Sequence, residues 1–226
     1  MRLSAARLLR APRRKLRVRG ADLVEAVPEF QDSACGDDPV AWFGRLIARA
    51  AEVESFDVTR AALATASARA LPDVRFVLVK QVDDRGFVFF TNYESRKAHD
   101  LRENPRGALA FHWAKLGVQV RVQGAVARVP ETESDVYFAT RPRGSQLGAW
   151  ASAQSEPIPD RAALDLKWTE VAKRFGDGVI PRPEHWGGFR VVPDEIEFWL
   201  NRDDRLHDRL RFTRATTGWS CRRLQP

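Results

Sequence analysis

The sequence predicts an α+β protein built on an antiparallel β-barrel with peripheral helices. Three observations point there. Apolar runs rich in β-branched and aromatic residues, six to twelve residues long, recur from residue 61 onward. Turn signals such as "DDRG" and "NPRG" separate them at short range. Helical stretches interrupt the runs without the regular strand–helix alternation of a parallel sheet.

The chain opens on "MRLSAARLLRAPRRKLRVR", which holds eight Arg/Lys and no acid. The net charge of +7 comes from this segment, since the other 207 residues carry 29 basic against 30 acidic groups, a balance of −1. Residues 1–37 read as a basic N-terminal arm and 38–226 as one domain. A flexible tail, a misassigned start and a transit-like peptide all suit such an arm. A nucleic-acid partner through it is disfavoured by the near-neutral body. No apolar run reaches the ~20 residues of a membrane-spanning helix. A soluble, cytoplasmic protein is expected, with organellar targeting by the arm left open. Cys35 and Cys221 lie far apart without a Cys-x-x-Cys pattern, and four histidines are scattered, so neither a disulfide framework nor a metal site is expected.

"DDPVAWFGRLIARAAEVE" predicts a helix with Asp38 as N-cap, Pro39 in the first turn, and Trp42, Phe43, Leu46, Ile47 and Ala50 on one face. Strands follow at "AALATAS", "VRFVLVKQV", "GFVFFT", "GALAFHW" and "VQVRVQGAVARV". Short helices fall at "SRKAHDLREN", "ETESDVYFAT" and "PDRAALDLKWTEVAKRF". Beyond "PRPEHWGG" come strands near 188–192, 195–201, 206–214 and 218–224.

Four stretches carry chemistry. In "FFTNYESRKAHDL", Ser95 as N-cap puts Arg96 and Lys97 in the first helical turn, where the helix dipole disfavours cations. A phosphate at that terminus would reverse the sign. "YFATRPRGSQLGAWASAQS" (137–155) has no acid and offers many donors, which suits an anion-binding surface or a polar loop. In "VRFVLVK", Arg75 and Lys80 are five apart and face opposite sides of an ideal strand, so they serve different ligands or different ends of a cleft. "NRDDRLHDRL" is either a solvated charge run or a strand with Arg205, His207 and Arg209 on one face, a row that needs an anionic or π-rich neighbour.

Taken in order, "RFVLVK", "FFTNYESRKAHDL", "VQVRVQG", "YFATRPRGSQLGAWASAQS", "WGGFR", "IEFW", "RLHDR" and the terminal "RRLQP" resemble the pyridoxamine 5′-phosphate oxidase family across roughly residues 60–226. The resemblance implies an FMN-binding split β-barrel in a homodimer, with flavin at the subunit interface. It implies FMN contacts from Arg75, Phe90, Thr91, Arg96, Lys97, Gln119, Gln154, Ser155, Trp186 and Arg209. Substrate contacts fall on Lys80, Tyr137, Arg141, Ser145, Arg205 and His207, the last two also as catalytic residues. The implied reaction oxidises pyridoxamine or pyridoxine 5′-phosphate at the 4′ carbon, with hydride passing to flavin and O2 giving H2O2. A phenazine-type flavoenzyme on the same barrel and a non-catalytic carrier of FMN or pyridoxal phosphate are the alternatives. The chain departs from the family pattern in having no tyrosine before Tyr93, in "SARALPDV" where a Gly-containing hairpin is usual, and in Leu200 where glutamine is common.

Overall fold

The structure, a computed structural model, describes residues 7–8, 30, 35–36 and 38–226. The elements run β1 (Arg7–Leu8), α1 (Pro39–Val53), β2 (Arg60–Ala66), β3 (Pro72–Asp83), β4 (Gly86–Asn92), α2 (Arg96–Glu103), β5 (Arg106–Trp113) and β6 (Val118–Arg128). They continue with α3 (Glu131–Ala139), α4 (Arg143–Ala151), α5 (Arg161–Phe175), β7 (Trp186–Leu200), β8 (Asp208–Arg214) and β9 (Trp219–Leu224). All pairings are antiparallel. Strand order β3-β2-β5-β6-β7 closes on itself because β4 pairs with both β3 and β7. The result is a closed six-stranded barrel, extended from β7 by β8 and β9.

The barrel closes because its strands alternate. Val118, Val120, Val122, Gly124 and Val126 of β6 are buried, and the residues that alternate with them are exposed or half-buried. α1 seals one end. Its Asp38 carboxylate accepts from the Val40 amide at 2.9 Å, and the expected face of Trp42, Phe43, Leu46, Ile47 and Ala50 is buried. Trp42 stacks on Phe198 at 4.1 Å and meets Phe212 edge-on, while Phe43 contacts Phe87 and Phe111. Each such ring removed from water contributes about 1.5–3 kcal/mol. Two glycines in "WGGFR" allow close approach from the other side. A Cβ at Gly187 would lie 2.1 Å from the Tyr93 hydroxyl, and one at Gly188 would lie 2.9 Å from the Phe90 ring.

The structure corrects several expectations. Strands expected separately at 188–192 and 195–201 form the single β7, bent at Pro193 where the β6–β7 register shifts between Gln123 and Gly124. The strand expected from 206 starts at Asp208. Residues Asp203–Arg205 form a 3₁₀ turn in which Asp204 and Arg205 have φ of 55° and 60°. Arg205, His207 and Arg209 therefore do not form one strand row. The donor-rich stretch 137–155 is not a loop throughout, because Arg143–Ala151 is helical and buries Leu147, Ala149 and Ala151. Its two glycines weaken helix propensity, which the packing overrides.

Contrary to expectation, Cys35 and Cys221 are disulfide-bonded, with Cα atoms 5.2 Å apart across a separation of 186 residues. The bond ties the segment preceding α1 to β9. In the same place the Arg223 guanidinium donates to the Phe30 carbonyl at 2.6 Å, and Phe30 packs edge-on against Trp42. Of the basic arm, Arg7 and Leu8 pair with Val82 and Gln81 of β3, and the rest of residues 1–29 lies outside the described residues.

Candidate active site

A cavity of about 1000 Å³ opens between the barrel and the α3–α4 pair. Eight of the expected site residues line it, namely Lys80, Phe90, Thr91, Tyr137, Arg141, Ser145, Gln154 and Trp186. Lys80 sits at the β-bulge of β3, where the register with β4 shifts between Val79 and Gln81. Its ammonium is 3.4 Å from the Asp57 carboxylate and donates to Thr59 Oγ1 at 3.2 Å. Burial alone would raise the Asp57 pKa, but hydrogen bonds from Thr59 and the Lys80 charge hold it below the usual carboxylate range. Asp57 also lines the cavity, and no sequence motif singled it out.

One wall is aromatic. Phe90 stacks on Tyr137 at 3.9 Å and on Trp186 at 5.5 Å, with the three planes nearly parallel. The Arg141 guanidinium lies over Trp186 at 4.5 Å. Its Nη1 is buried without a hydrogen-bond partner, and burial lowers the Arg141 pKa. An orphaned guanidinium nitrogen in an otherwise donor-rich cavity suits an anion.

A cationic cradle adjoins the cavity at the start of α2. Ser95 occupies the N-cap position, but its hydroxyl donates to the Asn92 carbonyl at 2.7 Å rather than capping the helix. The Arg96 amide instead donates to Ser155 Oγ at 3.3 Å. Ser155 reaches it from a left-handed conformation, φ 78°, which costs a non-glycine residue energy and is a feature of functional sites. Lys97 is buried and donates to Thr91 Oγ1, Ser95 Oγ and Gln154 Oε1, each at 3.1 Å. Burial, and then the charge of Arg75, push its pKa down to about 8 despite Asp73. Arg75 comes from β3, donating to Thr65 Oγ1 at 2.8 Å and to the Leu63 carbonyl at 3.2 Å. The first turn of α2 contains no acid. Arg75, Arg96, Lys97 and Ser155 thus supply the donors that a phosphate at a helix N-terminus needs. Arg75 and Lys80 have different partners, Leu63, Thr65, Asp73 and Asp100 for the first and Asp57 and Thr59 for the second.

Four expected residues are in neither the cavity nor the cradle. Gln119 on β6 pairs with Trp199 of β7, which pairs with Arg209 of β8. His207 lies 4.4 Å from the Trp199 ring, and its Nδ1 accepts from the Arg202 amide at 3.2 Å, leaving the proton on Nε2. Arg209 donates to the buried Glu197 carboxylate at 2.9 Å and to the Gln225 carbonyl at 2.9 Å. Arg205 is exposed on the 3₁₀ turn. The chain therefore carries two clusters of expected site residues, one around the cavity and one on β6–β8. Trp199 and Glu197 of the second cluster were not singled out. The "EFW" motif contained them, but only the cross-strand register shows what they adjoin.

The family model for pyridoxamine 5′-phosphate oxidase matches residues 50–175, and that for the pyridoxine 5′-phosphate oxidase C-terminal dimerisation region matches residues 186–226. A pyridoxine/pyridoxamine 5′-phosphate oxidase from Anaeromyxobacter dehalogenans is 55% identical over 189 residues, covering 84% of this chain and 96% of that protein. One from Burkholderia vietnamiensis is 52% identical over 200 residues, covering 87% and 93%. Among solved structures, PhzG from Burkholderia lata 383, in complex with tetrahydrophenazine-1-carboxylic acid, is 31% identical with a TM-score of 0.83, covering 91% of this chain and 100% of that one. With both family models matched in order along the barrel and its β8–β9 extension, this chain belongs to the pyridoxine/pyridoxamine 5′-phosphate oxidase family of oxidoreductases.

Proposed function

We propose that the protein is an FMN-dependent oxidase that converts pyridoxamine or pyridoxine 5′-phosphate to pyridoxal 5′-phosphate. The observation that carries this reading is the junction of two anion-seeking sites. The cavity holds Lys80 and the unpartnered Arg141 nitrogen, and the cradle of Arg75, Arg96 and Lys97 adjoins it through Thr91 and Gln154. One phosphate suits each. Bound FMN would supply the redox chemistry, removal of a hydride equivalent from the 4′ carbon with O2 as final acceptor giving H2O2; the alcohol would yield the aldehyde directly, and the amine an imine that water would hydrolyse with release of ammonia.

The chain's own residues bind and orient. Lys80, Tyr137, Arg141 and Ser145 hold the substrate phosphate, and the Tyr137–Phe90–Trp186 stack forms an apolar wall that excludes water. Arg75, Arg96, Lys97 and Ser155 hold the cofactor phosphate, with Thr91 and Gln154 beside them. Gln119, Arg205, His207 and Arg209 lie on the part of the chain that matches the family's dimerisation region or pairs with it, and act on a site completed by a second copy. A homodimer with cofactor at the interface follows.

The test is an absorption spectrum of the purified protein, then an aerobic assay of H2O2 with both phosphorylated substrates. A colourless protein that takes up no added FMN overturns the reading. The PhzG likeness favours a second reading, oxidation of a reduced phenazine. Turnover of tetrahydrophenazine-1-carboxylic acid in the same assay, with none of either phosphate ester, would establish it.

A further inference from the structure

The anion already seated among the three cradle cations belongs to the chain itself. Asp73, the second residue of β3, lies two positions before Arg75 and so on the same side of the strand. Its Oδ2 is 2.7 Å from Arg75 Nη2 and 3.3 Å from Arg96 Nε, bridging a strand cation to a helix cation. Its Oδ1 accepts from the Val74 amide at 2.8 Å, which orients the carboxylate toward the arginines. The other nearby carboxylate, Asp100, is occupied differently. It accepts from Thr65 Oγ1 at 2.6 Å and stands 3.7 Å from Arg75.

We propose that Asp73 is a tethered counter-ion that competes with the cofactor phosphate for Arg75 and Arg96, and thereby sets how tightly the protein holds FMN. This rests on the flavin reading above. The physical ground is that a phosphate would seek the same guanidinium charges that Asp73 neutralises by ion pairing, and the Arg75 Nη2 that Asp73 approaches is buried and makes no hydrogen bond. A phosphate must either displace the carboxylate or sit beside it at like-charge repulsion. Without an anion, the three cations repel one another, and Asp73 relieves that repulsion. Asp73 thus has opposite effects on the two states, stabilising the flavin-free fold and weakening the flavin-bound one. A residue that only oriented the arginines would favour both.

The experiment compares wild type with Asp73→Asn, an isosteric change at a side chain that is one-third exposed. The measurements are thermal unfolding without flavin and titrations of FMN and riboflavin by flavin-fluorescence quenching. The expected result is a lower melting temperature without flavin, FMN binding tightened by about ten-fold, the order of one charge-assisted contact, and unchanged riboflavin binding. The FMN gain should shrink at high salt. Unchanged or weaker FMN binding in the variant overturns the proposal, as does an equal gain for riboflavin. Asp73→Ser, which removes the charge and shortens the side chain, replaces the asparagine variant should the latter not fold. Should wild type take up no FMN, the flavin reading fails, and inorganic phosphate then decides the role of Asp73. Greater thermal stabilisation by phosphate in the variant than in wild type supports the competition, and equal or smaller stabilisation overturns it.

Discussion

The Lys97 ammonium and the Gln154 side-chain carbonyl meet at 3.1 Å, joining the first turn of α2 to the segment that follows α4. Lys97 also bonds Thr91 and Ser95, so three parts of the cradle converge on one buried cation. Its pKa, pushed down to about 8 by burial and Arg75, governs the first expected outcome. Below pH 8 the ammonium is charged and attracts phosphate. Above it the group loses its proton in the flavin-free protein, and FMN affinity should fall, by at most about ten-fold per pH unit. Folding stability of the flavin-free protein should move the opposite way. Between about pH 8 and the ordinary value of 10.5 the unfolded chain binds more protons, so the cost of burying the charge is relieved as pH rises. FMN titrations and denaturant melts from pH 7 to 10 measure both, and Lys97→Met should flatten the two profiles.

Arg141 offers a buried guanidinium nitrogen with no hydrogen-bond partner. If the substrate phosphate takes it, Arg141→Ala loses a charge-assisted contact worth about 1.5–3 kcal/mol. The specificity constant for the phosphorylated substrate should then drop roughly 10- to 150-fold, with little change for unphosphorylated pyridoxine. Equal losses on both would mark Arg141 as part of the wall rather than of the phosphate site.

The separation of the two clusters leads to a test in trans. Arg141 belongs to the cavity, and Arg209 to the β8 cluster held by Glu197. In a homodimer whose sites use one cluster from each subunit, Arg141→Ala and Arg209→Ala impair both sites when each variant is alone. Hybrid dimers of the two regain one intact site. Unfolding and refolding an equal mixture should restore about a quarter of wild-type activity, since about half of the random dimers are hybrids with one of two sites intact. Recovery no greater than the sum of the separate variants would place both clusters in one subunit's site.

The Cys35–Cys221 bond closes a loop spanning nearly the whole chain. Constraints of this kind stabilise by about 2–5 kcal/mol. Denaturant unfolding with and without reductant should show a loss of that size, absent from Cys221→Ser, and thiol titration of the unreduced, unfolded chain should find no free cysteine. Two titratable thiols in the protein as purified would contradict the bond.

Much of the architecture was legible because it is written in local periodicity. The alternation of "VQVRVQGAVARV", the three-to-four spacing of Trp42, Phe43, Leu46 and Ile47, and the Asp38-Pro39 start each reflect backbone geometry within a few residues. The cations at the start of α2 were also readable as an anomaly, since the helix dipole acts within one turn. Ordered motifs pointed to the family because they record many such local requirements at once.

Other features depended on chain closure, which no local pattern encodes. Cys35 meets Cys221 only because β9 returns beside the segment that leads into α1. Asp57 becomes a partner of Lys80, and Asp73 a bridge to Arg96, through packing of loop against strand and strand against helix. The row imagined for Arg205, His207 and Arg209 assumed an extended backbone, but consecutive left-handed residues at 204 and 205 break it before β8 begins. The sequence by itself determined which residues alternate, where α1 begins at its Asp38 cap and which family the motifs belong to, because those depend on near-neighbour geometry. Only the tertiary structure decided which charges meet and how the site residues divide into two clusters, because those depend on where a closed barrel returns distant strands.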